Sequence, residues 1–311
     1  MQLAMSVKFG ALVVLAALFM PALAVADDRA DKQYQGRKVC AGCHKAQDAL
    51  WSGSHHDLAM QPASEQTVSG DFDSASLTHF GVTSTFFRKD GAFMVRTEGP
   101  DGKLHDYEIR YTFGAEPLQQ YLIAFPGGRL QALSLAWDSR PADRGGQRWF
   151  HLYPGERITH DDELHWTQPA QNWNSMCAEC HSTGLLKNYD PESRTFSTGW
   201  FEIDVSCEAC HGPGAGHVTW ARQSPGLRKQ DPGKGLVVQL DERRDVHWTI
   251  NPETGTATRS QPRKSEREIE MCARCHARRS PISHGYVHGE RLLDHYLPRL
   301  LDEGMYHADG Q

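Results

Sequence analysis

The eight cysteines of this 311-residue chain fall into four Cys-x-x-Cys pairs: Cys40/Cys43, Cys177/Cys180, Cys207/Cys210 and Cys272/Cys275. Each pair is followed at once by a histidine, namely His44, His181, His211 and His276. No cysteine is left over. Positions i, i+3 and i+4 share one face of a helical turn, so each motif can present two thiols and an imidazole to one ligand. That demand, made four times, constrains the chain more than its composition does.

Four chemistries compete for such cysteines. A zinc site wants Cys or His pairs facing one another and gives no reason for a histidine directly after every pair. A redox dithiol occurs once, beside a βαβ pattern. A disulfide framework does not favour partners three residues apart in every case, although an exported chain admits disulfides. Covalent c-type haem meets all the requirements: the thiols add to the vinyl groups and the imidazole becomes the proximal iron ligand. The expectation is four covalent haem c groups. Cys40, Cys43, Cys177, Cys180, Cys207, Cys210, Cys272 and Cys275 attach them, and His44, His181, His211 and His276 are the proximal ligands.

The chain opens with Lys8, an apolar run from Ala11 to Met20 and a small-residue site at Ala24-Val25-Ala26. This is the layout of a secretory signal peptide over residues 1–26, which implies a periplasmic product with no membrane span after cleavage. A net charge of −6 gives no reason to expect nucleic acid as a partner. With 28 glycines, 16 prolines and few periodic apolar helices, the macrocycles are expected to occupy much of the core.

Residues 27–311 read as one tetrahaem cytochrome c domain. The first motif sits on an expected helix, CAGCHKAQDALW. Residues 70–165 lack cysteine and alternate β-branched and aromatic residues with polar ones, with turn signals at Lys89-Asp90-Gly91, Gly99-Pro100-Asp101-Gly102 and Pro126-Gly127-Gly128. The fold class expected is therefore a multihaem cytochrome c, a helix- and loop-rich haem core with an antiparallel β-meander inserted over 70–165. The second and third motifs lie thirty residues apart, which predicts that their haems form a close, electronically coupled pair.

What fills each distal iron position separates electron transfer from catalysis. In HGPGAGH, Pro213 and the glycines stop the helix begun at Cys207, so His217 emerges beside a haem. His55, His56 and, less strongly, Met60 follow the first motif. His165 precedes the second motif, and His284 and His288 follow the fourth. Arg274, Arg278 and Arg279 are candidates to pair with haem propionates, since a guanidinium fork suits a carboxylate.

The Cys-x-x-Cys-His helix followed by Trp51-x-x-Ser54-x-His56, and the CEACHGPGAGH of residues 207–217, resemble the tetrahaem cytochrome c family that accepts electrons from hydroxylamine oxidoreductase. GVTSTFFRKDGAF, YTFGAEPLQQYL, GGQRWFHLYP, QNWNSMCAECHSTG and YHADGQ are similar to exported bacterial multihaem cytochromes in which tetratricopeptide repeats often follow the haem region. The resemblance implies electron transfer, bis-histidine iron, and His56 and His217 as distal ligands, with His56 preferred over His55 by its spacing. Members of that group continue past YHADGQ, so further haem or tetratricopeptide regions are expected in a longer form.

The leading expectation is electron transfer in the periplasm between redox partner proteins. The alternative is a multihaem oxidoreductase acting on a small nitrogen or sulfur compound at a haem with an open distal position. A third is a haem module of a larger assembly. No paired carboxylates or nucleophile–base arrangement stands out as separate catalytic machinery.

Overall fold

The alternating stretch becomes eight consecutive antiparallel strands in a computed structural model that describes residues 33–300 except 227, 229 and 284. The expected signal peptide, His284 and the YHADGQ tail lie outside the described residues. The strands are β2 (Ala75–His79), β3 (Val82–Lys89), β4 (Ala92–Glu98), β5 (Leu104–Phe113), β6 (Leu118–Phe125), β7 (Arg129–Ala132), β8 (Leu135–Asp138) and β9 (Arg148–His151), preceded by β1 (Met60–Pro62). The order is β2-β3-β4-β5-β6-β8-β9, with β1 on β5 and β7 on β6.

Two-residue turns set the register. Asp90 and Gly91, both at positive φ (51° and 82°), join β3 to β4 so that Lys89 faces Ala92. Phe80 and Gly81 do the same between β2 and β3, with His79 facing Val82. Ser84 and Phe86 on β3, and Phe93, Val95 and Thr97 on β4, then point to the buried face. The first and last strands of the order curl together. His79 on β2 stacks on His151 of β9 with 3.8 Å between ring centroids and 3° between planes. The sheet is a nearly closed antiparallel barrel.

This overturns the expected helix- and loop-rich haem core. The barrel is the dominant architecture, and the longest helix among the described residues, Arg267–His276, has 10 residues. The barrel also has an ordinary core of its own. Phe72 meets Phe86, Phe93, Tyr121 and Trp149 edge-on, and Phe86 stacks flat on Trp149 at 3.4 Å. Val95, Ile109, Ile123 and Leu133 complete it. Aromatic side chains bury large areas each, so a modest aliphatic content does not mean a thin core. Haem need not substitute for one.

A second apolar cluster ties the barrel wall to the second motif: Met60, Phe113, Leu122 and Ala132 pack on Trp173 and Ala178. The Trp173–Met176 helix begins at Asn172, whose side chain accepts from the Ser175 N–H at 3.1 Å. Asn174 is buried and accepts from the Leu130 N–H at 2.7 Å while donating to the Gly128 carbonyl. Paired polar groups and a fully buried indole therefore fix where Cys177 starts.

Candidate functional site

The first motif does not ride one helix. Arg37–Cys43 and Lys45–Trp51 are separate helices that meet at His44, whose φ of −106° and ψ of 51° turn its ring out of the helical path. The second motif straddles another break at Cys177, between Trp173–Met176 and Ala178–His181. The third is the single-turn helix Cys207–His211, ended by Gly212 at φ 75°. The fourth closes the helix Arg267–His276.

The motifs pair across the chain. The thiols of Cys40 and Cys207 are in hydrogen-bond contact, as are those of Cys180 and Cys275. The contact with Cys40 draws the Cys207 thiol down to about 7, and that with Cys275 does the same for Cys180. Burial instead pushes Cys177 up to about 12 and Cys210 up to about 11. The first motif thus packs on the third and the second on the fourth, while Cys180 and His181 of the second motif and Cys210 of the third line one cavity.

A cavity of about 320 Å³ opens between the motifs, lined by Cys180, His181, Cys210, Cys272, Cys275 and His276 together with His55, His56 and His288. Two histidine pairs face one another here and nearby. His44 and His217 have ring centroids 5.9 Å apart, and His56 and His276 have theirs 6.1 Å apart. An imidazole nitrogen bonds a first-row metal at about 2 Å and the ring centre lies about 1 Å behind it, so trans imidazoles on one iron have centroids about 6 Å apart. Both pairs match that spacing.

Three of the candidate ligands have one ring nitrogen anchored on a backbone carbonyl. Nδ1 of His181 lies 2.8 Å from the Ala59 carbonyl oxygen, that of His211 3.0 Å from Val238, and that of His217 2.8 Å from Lys234. A histidine that donates Nδ1–H to a carbonyl presents Nε2 as a lone pair, the usual arrangement around a metal ligand. Burial lowers the His56 and His181 pKa values, which keeps both rings in the neutral, ligating form. The donor set fits haem.

Other candidates are placed differently. His288 directs Nε2 to the Ala209 carbonyl at 3.1 Å, beside the third motif and Arg274. His165 lines a separate cavity inside the barrel, among residues that belong to no motif. Met60 is fully buried in the apolar cluster on Trp173. Among the described residues, the edge of Phe113 meets the His181 ring at 5.6 Å, and neither His181 nor His211 has a histidine ring opposite it at the spacing of the two pairs.

Acidic residues inside the motifs were not foreseen. Glu208 is 2% exposed and accepts the N–H groups of Gln35 at 2.9 Å, Gly36 at 2.7 Å and Gly214 at 2.6 Å, clamping the start of the first motif to the third. Glu202 adds an acceptor for the Arg37 N–H at 2.8 Å. Burial acts to raise the Glu179 carboxyl, but Tyr296, Arg279 and Arg274 together hold it below the usual carboxylate range. Arg274 and Arg279 are drawn to Glu179, at 3.6 and 3.2 Å, and to the rings of Tyr286 and Tyr296, while Arg278 is exposed. The first two thus lean on a protein carboxylate, although the buried Nε of Arg274 has no hydrogen-bond partner among the described residues. A charged residue between two cysteines of one turn was the available signal, because it must lie close to the motif's neighbours.

Four Cys-x-x-Cys-His motifs, two histidine pairs at trans spacing and a cleft lined by His56 and His276 make up the donor set of a c-type cytochrome. Residues 151–212, which span the second and third motifs, match the family described as cytochrome c554 and c-prime. The fold is similar to the crystal structure of the outer cell wall cytochrome OcwA, with a TM-score of 0.50 and 19% identity over 88% of this chain. This chain spans 47% of that one. No curated protein matches the sequence.

Proposed function

We propose that the chain passes single electrons through four covalently bound c-type haems as an exported protein serving redox partner proteins in the periplasm. The observation that carries this reading is the pair of facing histidines, His44 with His217 and His56 with His276, at 5.9 and 6.1 Å. When bound, haem supplies a one-electron couple whose potential depends on axial ligands and burial. The residues do the rest. Two thiols per motif hold each group, His217 and His56 close the distal sides against exogenous ligands, and the carbonyls of Ala59, Val238 and Lys234 orient His181, His211 and His217. Among the described residues no helix is long and apolar enough to cross a membrane.

A second reading is favoured by one observation: among the described residues no histidine ring faces His181 at the spacing of the two pairs. A haem held by the second motif would then keep an open distal position where a small nitrogen or sulfur compound reacts.

Mass spectrometry of denatured, fully matured protein tests the haem number, with four additions expected and two or fewer overturning the proposal. Low-temperature EPR tests the ligation. His217→Ala and His56→Ala should each convert one haem from low spin to high spin without loss of haem. An unchanged spectrum in both variants would sink the axial assignment. A high-spin signal already present in the unmutated protein would support the second reading.

A further inference from the structure

Inside the barrel, near where β2 approaches β9, lies a second cavity of about 90 Å³ that none of the cysteine motifs touches. A water centre needs about 10–15 Å³ of such space, so there is room for a few water-sized atoms and none for a porphyrin.

Its wall is rich in donors. Ser134 is 4% exposed, and its hydroxyl oxygen is buried without a protein partner. A buried hydroxyl left unpaired is costly, so such a group asks for an occupant. The Tyr153 N–H donates to His151 Nδ1 at 3.0 Å, so the neutral ring carries its proton on Nε2. Burial first, and then His79 beside it, pushes the His151 pKa down to about 4, which keeps the ring a neutral donor. The hydroxyls of Ser84 and Thr97 lie 2.7 Å apart, so one of their two protons joins them and the other is available. Arg157 lines the cavity from an exposed position.

Charge limits what fits. Glu98 shares the wall, with His160 Nδ1 3.8 Å from its carboxylate. Against one guanidinium and one carboxylate, a bound monoanion leaves one charge and a dianion two to be met by neutral donors alone, so a delocalised single charge is the less costly occupant.

We propose that this cavity binds a small monovalent oxyanion of the size of nitrate, held by Ser134, His151 and the Ser84–Thr97 pair, with Arg157 completing the site. The inference rests on the barrel alone and is independent of the number or ligation of the haems.

The test is a nitrate titration of the haem-loaded protein at neutral pH, followed by thermal stability and by calorimetry, with sulfate at matched ionic strength as the control. Saturable stabilisation by nitrate and none by sulfate is expected, because a ligand that binds only the folded state raises its stability with concentration. Removing one neutral donor is worth about 0.5–1.5 kcal/mol, so Ser134→Ala should weaken nitrate about two- to tenfold. Arg157→Gln, at an exposed position that leaves folding intact, should weaken it at least as much. The Soret band should not move. No saturable binding, equal binding of sulfate, or an affinity indifferent to both variants would overturn the proposal. A Soret shift with nitrate would also overturn it, by placing the anion at iron.

Discussion

Glu208→Gln should weaken the fold while sparing the cysteines and histidines that hold haem. In the native protein Oε1 accepts from Gln35 at 2.9 Å and Gly214 at 2.6 Å, and Oε2 accepts from Gln35 at 3.0 Å and Gly36 at 2.7 Å. All partners are backbone N–H donors, and the side chain is buried. The amide keeps the volume and one acceptor, but it sets an NH₂ group against a donor. A hydrogen bond to a charged group is worth about 1.5–3 kcal/mol and a stranded buried donor costs about 1–3 kcal/mol, so the variant should lose roughly 2–5 kcal/mol. Urea unfolding of the haem-loaded protein, followed by far-UV circular dichroism, measures this. Haem content by mass checks that attachment is intact. Glu202→Gln is the control, because among the described residues only the Arg37 backbone N–H leans on that carboxylate and the loss should be nearer 1 kcal/mol. If Glu208→Gln unfolded within about 0.5 kcal/mol of the parent, the claim that a buried carboxylate clamps the first motif to the third would be refuted.

Gly128→Ala should destabilise the barrel by about 2 kcal/mol or more, since Gly128 has φ 71° and a Cβ there would stand 2.0 Å from the Phe196 carbonyl oxygen; thermal unfolding checks it. The Asp204 carboxyl is pushed up to about 7 by burial, with Glu202 and Asp57 adding to the effect. A raised folded pKa means that its contribution to stability is complete below the ordinary value near 4 and is lost as pH rises to about 7. Asp204→Asn should therefore flatten the decline in stability between pH 4 and 7 and be the more stable protein at pH 8, as measured by urea unfolding across that range. His151, held down to about 4, works in the opposite sense: its contribution is complete above about 6.5 and is lost as pH falls toward 4. His151→Gln should remove part of the acid sensitivity of thermal unfolding.

The strands of residues 70–165 were legible in the chain; their curling into a barrel was not. The Asp90-Gly91 turn and the alternation in GVTSTFFRKDGAF carry strand and hairpin signals that act over a few residues. Their weight was not legible. Phe72, Phe86, Tyr121 and Trp149 form one aromatic core only once the strands curl, and counting aliphatic residues made the core look thin. The Phe80-Gly81 turn was missed because phenylalanine at positive φ carries no local preference for such a turn. His165 looked well placed by its nearness to Cys177 in sequence, yet the chain between them passes over the barrel wall and leaves it inside the barrel.

The sequence by itself determined the attachment chemistry, because two thiols and an imidazole on one turn are a local demand met within five residues. It also marked His217 and one of His55 and His56 as the histidines to watch, and the family resemblance preferred His56. The tertiary structure decided which ring each of them faces. His217 meets His44 and His56 meets His276 because the Glu208 clamp and the packing of the motifs bring distant helices together, and no spacing in the chain encodes a 6 Å gap between rings that far apart in sequence.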